Sequence, residues 1–138
     1  MDDVIELKTK VQEKIKLYGL RPTRARTRIG MLLLDKPKHL SAEQVHERLK
    51  QKGYSISKAT VYNTLNAFAE YGIVNEVTVD PSRTYYDSTT TPHHHFFNID
   101  TGQLQDIASD DMNVENIPRL PDNTQIQDLE IVVKISNK

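Results

Sequence analysis

Apolar positions recur at spacings of three and four through the first half of the chain and at alternate positions beyond it, so helices precede strands. Val4, Leu7, Val11, Ile15 and Tyr18 lie on one face of a helix predicted from Val4 to Tyr18 and closed by Gly19. Thr23 is a good N-cap for a second helix of about Thr23 to Asp35, which buries Ile29, Leu32 and Leu33 and is stopped by Lys36-Pro37. Ser41-Ala42-Glu43-Gln44 is a capping box, and a third helix follows with Val45 and Leu49 inward and Gly53 at its end. Ser57 caps a fourth, with the stripe Val61, Leu65, Phe68 and Ala69 and a stop at Gly72. Val74 to Val79 and Arg83 to Tyr86 then read as strands around the turn Asp80-Pro81-Ser82.

After Asp87 the polar link Ser88-Thr89-Thr90-Thr91-Pro92 marks a boundary. Beyond it, His95 to Ile99 and Gln103 to Ile107 flank Asp100-Thr101-Gly102 as two strands, and Leu129 to Ile135 makes a third, with at most one short helix between Ser109 and Asn123. The expected fold is α+β: a winged helix-turn-helix over residues 1–87 and a small α/β dimerisation and sensing domain over 88–138. A sheet of three strands has edges to protect, and pairing with a second copy covers them, so a homodimer is expected.

In a winged helix-turn-helix the last helix enters the major groove. On that helix Lys58, Thr60, Tyr62, Asn63 and Asn66 are off the apolar stripe. Arg21, Arg24, Arg26, Arg28 and Lys58 suit phosphate contact, whereas Thr60, Tyr62 and Asn63 carry the hydrogen-bonding groups that base edges require. A helical bundle with a hairpin and no DNA partner has the same pattern of elements.

Charge divides along the same line. Residues 1–80 hold 14 Lys and Arg against 10 Asp and Glu, net +4, and residues 81–138 hold 4 against 9, net −5. A basic half suits a polyanion and an acidic half a cation. There is no cysteine, which excludes disulfides, thiolate nucleophiles and thiolate-held zinc. No apolar run approaches the roughly 20 residues that span a bilayer, and Met1-Asp2-Asp3 is acidic where a signal peptide is basic; a cytoplasmic protein with no membrane partner is expected.

Three of the five histidines are consecutive, His93-His94-His95. On an extended strand His93 and His95 point together and His94 points away, so the outer two form a chelate. His39, on the loop before the third helix, and Asp87, at the end of the wing, complete a set through which a cation would join the two lobes, with Asp106 as a fifth ligand. Nitrogen and carboxylate donors without sulfur suit Fe2+, Mn2+ or Zn2+. His46 reads as a surface residue. A zinc-dependent hydrolase would also use His-x-His with a carboxylate, but no further catalytic motif is present, and the chain is read as not an enzyme. A metal carrier without DNA binding is the other alternative.

These residues resemble the ferric uptake regulator superfamily through Gly19-Leu20-Arg21-Pro22-Thr23-Arg24, His39-Leu40-Ser41-Ala42-Glu43, Ala59-Thr60-Val61-Tyr62-Asn63-Thr64-Leu65 and the histidine run followed by Ile99-Asp100-Thr101-Gly102. Within it the chain looks most similar to the iron response regulator branch, through Tyr62-Asn63-Thr64-Leu65-Asn66, the histidine run with its two following aromatics, and the end from Ile117-Pro118 through Val132-Val133-Lys134. The resemblance implies a dimeric regulator of iron and haem genes that binds a double-stranded DNA operator and responds to haem or iron. It implies metal ligation by His39, Asp87, His93 and His95, with Asp106 matching a carboxylate of peroxide-sensing members, and haem contact by His93, His94 and His95. It also implies DNA contact by Tyr62 and minor-groove insertion of Arg21. A peroxide sensor, in which ferrous iron promotes oxidation of His39 or His93, is the runner-up within the superfamily. Residues such as Asn98 and Thr101 stand where many relatives hold structural zinc with cysteines, and the Cys-Pro haem motif of some iron response regulators is missing. Pro92 and Gln127 lie near histidine positions of a second metal site.

Overall fold

The computed structural model describes residues 2–138. Met1 lies outside the described residues, so the acidic start Met1-Asp2-Asp3 remains a reading of sequence. The chain forms two compact units, the first ending at Thr90 and the second comprising Thr91–Lys138.

The first unit contains helices α1 (Asp2–Leu17), α2 (Arg24–Leu33), α3 (Ala42–Gln51) and α4 (Lys58–Glu70), with strands β1 (His39–Ser41), β2 (Asn75–Asp80) and β3 (Arg83–Asp87). Capping residues set the helix starts. Thr23 Oγ1 accepts the Arg26 N–H at 3.2 Å, and Ser57 Oγ accepts the Thr60 N–H at 3.1 Å. Ser41 and Gln44 make both bonds of the capping box. Val11, Ile15, Ile29, Leu33, Val45, Val61, Leu65 and Phe68 form the centre of the core. α1 and α2 approach closely because position 30 has no side chain: a Cβ there would lie 2.5 Å from Val11 Cγ1. At Gly53 and Gly72 the backbone has φ of +85° and +81°, the left-handed conformation that ends α3 and α4 where glycine predicts it.

The predicted inner face of α1 holds only in part. Val11 and Ile15 are buried and Leu7 partly so, but Val4 is 60% exposed and Tyr18 36%.

His39 is not on a loop. It opens β1, an antiparallel neighbour of β3 in the sheet β1-β3-β2, with His39 opposite Asp87 and Leu40 opposite Tyr86. The link after Asp87 is tied into this unit: Lys38 N–H donates to Ser88 Oγ at 2.9 Å, Ser88 N–H to Lys38 O at 3.2 Å, and Thr89 N–H to Asp87 Oδ1 at 2.9 Å.

The second unit is a sheet of order β5-β4-β6, with β4 (His93–Asn98) antiparallel to β5 (Leu104–Ala108) and parallel to β6 (Val132–Ile135). β4 starts two residues earlier than predicted, so the whole histidine run is in the strand. The expected α/β character is corrected to sheet plus irregular chain, since among the described residues the only helical turn in this unit is the 3-10 turn Ser109–Asp111. Asn98 Oδ1 accepts the Asp100 and Thr101 N–H groups at 2.9 and 3.1 Å, Thr101 Oγ1 accepts Gln103 N–H at 3.2 Å, and Asn98 Nδ2 donates to Asn137 at 2.9 Å. Neutral hydrogen bonds thus close the β4–β5 turn.

Candidate functional site

Each unit presents one group of metal-type donors. In the first, the β1–β3 register sets His39 Nε2 3.3 Å from Asp87 Oδ2. Asp87 is fully buried, and its other oxygen accepts the Thr89 N–H, so its orientation is fixed.

In the second, His93 and His95 share a strand face as alternation requires, with ring centroids 4.6 Å apart in an edge-on arrangement. Their Nε2 atoms lie 3.5 and 3.4 Å from Asp106 Oδ1, on β5 directly opposite His95. His93 Nδ1 lies 2.6 Å from the Thr91 carbonyl. A carbonyl only accepts, so Nδ1 carries the proton and the Nε2 lone pair of neutral His93 is directed at the cluster. On the far side of His95, Nδ1 is 3.9 Å from Glu130 Oε1, a carboxylate that sequence reasoning did not single out. Asp106 stays partly exposed while His95 is buried, so the group opens to solvent at its carboxylate.

His94 points away from this cluster, as alternation predicts, but it is buried, and the Ile131 N–H donates to its Nδ1 at 3.1 Å. With His95 N–H donating to Ile131 O at 3.1 Å, this pins the chain at the entry to β6. Nothing in the sequence at Ile131 signals the contact, which is made by tertiary pairing. His46 is half-buried on α3 and apart from both groups.

The residues expected to contact DNA lie on the first unit. Arg21, Arg24 and Lys58 are exposed, and Asn63 and Tyr62 project from α4 with Tyr62 39% exposed. Thr60 is half-buried and its Oγ1 accepts from Ser57 Oγ at 3.0 Å, so its hydroxyl is part of the α4 cap. Arg26 donates to Arg21 O at 2.9 Å, and the Arg28 guanidinium lies 4.1 Å from the Tyr54 ring centroid. Thr23, Ala25, Arg26, Thr60, Asn63 and Thr64 line a shallow cleft between the start of α2 and α4. The Tyr62 hydroxyl donates to the Glu43 carboxylate on α3. That bond holds the Glu43 carboxyl below its ordinary pKa and pushes the Tyr62 phenol above its own. Behind α4, Tyr86 donates to Asn66 Oδ1 at 3.1 Å, and burial pushes its phenol pKa up to about 12.

Two sequence relatives are the peroxide-responsive repressor PerR of Staphylococcus epidermidis and the peroxide operon regulator of Bacillus subtilis. The first is 34% identical over 88 residues, 64% of this chain and 59% of that one; the second is 34% identical over 94 residues, 68% of this chain and 65% of that one. The chain thus spans about three-fifths of the length of these relatives. Among solved structures, the ferric uptake regulator of Vibrio cholerae superimposes with a TM-score of 0.71 at 24% identity, over 91% of this chain and 98% of that one. The ferric uptake regulator of Francisella tularensis, solved with iron, gives 0.67 at 25% identity, over 87% and 93%. The fold is therefore that of the ferric uptake regulators, mixed helix and sheet. The model of the ferric uptake regulator family matches residues 18–134, and the chain belongs to that family.

Proposed function

We propose that this protein is a dimeric, winged-helix transcription regulator whose affinity for a double-stranded DNA operator is set by one divalent cation, ligated jointly by His39 and Asp87 of the first unit and His93, His95 and Asp106 of the second. The observation that carries this reading is that each unit holds an oriented set of nitrogen and carboxylate donors, of which the pair in the first unit is too small to hold a cation tightly alone. His39 with Asp87 offers two groups, and His93, His95 and Asp106 offer three. Three donors can hold a first-row ion with water completing its shell, two hold it weakly, and all five together, nitrogen and oxygen without sulfur, suit Fe2+ or Mn2+ and accept Zn2+. A cation shared between units ties metal occupancy to the placement of α4, which is how binding at one site biases another.

The DNA reading places Arg21, Arg24 and Lys58 against phosphates and Tyr62 and Asn63 toward base edges. Thr60 Oγ1 accepts from Ser57 in the α4 cap, which leaves its own O–H to donate toward DNA. Within the family, the peroxide-sensing reading is favoured over the haem reading by the names of the sequence relatives and by the donor set. Ferrous iron, when bound, supplies the electron that reduces peroxide; the chain supplies the oxidisable imidazoles of His39 and His93. Haem ligation through His93, His94 and His95, as in an iron response regulator, would require the buried His94 to release the Ile131 N–H and the buried His95 to leave its strand.

The test is to load the protein with Fe2+, expose it to peroxide and measure the mass of its peptides. One added oxygen on the peptide carrying His39 or His93, absent when Mn2+ replaces Fe2+, is the expected result. Unmodified peptides together with haem-induced release of a DNA duplex, lost in a His93→Ala, His94→Ala, His95→Ala variant, would restore the haem reading.

A further inference from the structure

Glu43 is an acid beside Lys58, in the unit that also carries Arg21 and Arg24. It is exposed, sits in the first turn of α3 and reaches across to α4, where its carboxylate accepts the Tyr62 hydroxyl proton. Its charge is supported there by the Tyr62 bond, by backbone and Ser41 hydrogen bonds, and by Lys58; an acid at a helix N-terminus is also favoured by the aligned peptide dipoles. A carboxylate so held does not leave easily, and it has two effects on a nearby duplex.

The first concerns hydrogen-bond polarity. A phenol has one donor and two acceptor lone pairs. With the donor committed to Glu43, the Tyr62 oxygen offers only lone pairs outward, which complement the amino groups of adenine and cytosine in the major groove and oppose the acceptors of guanine and thymine. The second concerns phosphate. A fixed negative charge beside the basic residues weakens contacts made to any sequence, since those contacts are electrostatic and sequence-blind, and discrimination rises when the wrong mode is penalised.

We propose that Glu43 is a specificity-determining residue of DNA recognition, which holds Tyr62 as a hydrogen-bond acceptor for base-edge amino groups and disfavours unselective contact with phosphate. The inference rests on the DNA-binding reading above.

The experiment uses the full chain with Mn2+ present. Wild type first selects duplexes from a random library; affinities for the selected duplex and for its scrambled counterpart are then measured for wild type, Glu43→Ala, Glu43→Gln, Tyr62→Phe and the double variant Glu43→Ala, Tyr62→Phe. Phenol titration by ultraviolet absorbance, with Tyr62→Phe as the subtraction, reports the contact without DNA. The expected results are tighter binding of Glu43→Ala to the scrambled duplex, a fall of about tenfold in its ratio of selected to scrambled affinity, and a smaller further fall on adding Glu43→Ala to Tyr62→Phe than on making it in wild type. Glu43→Gln, which accepts the hydroxyl but has no charge, should lose less of the ratio. The Tyr62 phenol should titrate at lower pH in Glu43→Ala. A ratio within about twofold of wild type in Glu43→Ala overturns the inference alone. A wild type that enriches no sequence overturns it together with the DNA reading.

Discussion

Tyr86 shows how much one side chain's surroundings alter its chemistry. Its ring is buried at the β1–β3 pairing and its hydroxyl donates to Asn66, so ionisation would place a charge where water does not reach. Burial therefore raises its pKa from 10.0 to about 12. Below pH 10 the phenol is neutral in both folded and unfolded chains and contributes its full stability; as pH rises from 10 toward 12 the unfolded chain ionises first and that contribution is lost. Denaturant titrations on either side of pH 10 should show stability falling in wild type, and the fall should be smaller in Tyr86→Phe. An equal fall in both would assign it to other groups. At this scale the sequence was informative about direction more than about partners. Alternation correctly separated His94 from His93 and His95, but that His94 accepts the Ile131 N–H, and that Glu43 accepts the Tyr62 proton, depends on elements far apart in the chain.

Helices were legible because their ends are written locally. Thr23, Ser41 and Ser57 each bond the backbone of the first turn they begin. Ser41→Ala removes one half of the capping box and should cost about 1 kcal/mol in a denaturant midpoint measurement, and it should loosen Glu43 two residues on. The contact of α1 with α2 is more demanding. Alanine would normally favour a helix interior over glycine by about 1 kcal/mol, yet a Cβ at Gly30 would strike Val11 Cγ1 at 2.5 Å. Gly30→Ala should therefore destabilise, by about 1–3 kcal/mol, and Val11→Ala in the same chain should recover part of the loss; a stabilised Gly30→Ala would show that α1 shifts freely. Strand β1 was illegible for the complementary reason. Three residues are too few to display alternation, and its existence depends on pairing with β3, which no local pattern of His39-Leu40-Ser41 encodes.

For the whole molecule the polar link after Asp87 was legible as a boundary, and the compact units end at Thr90 and begin at Thr91, three residues beyond the expected division. The family was legible from motifs spread along the chain. The branch was not: the histidine run resembles iron response regulators, whereas the sequence relatives carry the names of peroxide-responsive repressors. If one cation is held by both units, its binding joins them, and loss of either donor pair should abolish tight binding even though the other pair is intact. Calorimetric titration of Mn2+ into wild type, into His39→Ala, Asp87→Ala and into His93→Ala, His95→Ala tests this most directly. Joint ligation predicts one tight site per chain in wild type and a loss of at least about a hundredfold in affinity in each paired variant. Wild-type affinity in either paired variant would contradict it, placing the cation within a single unit.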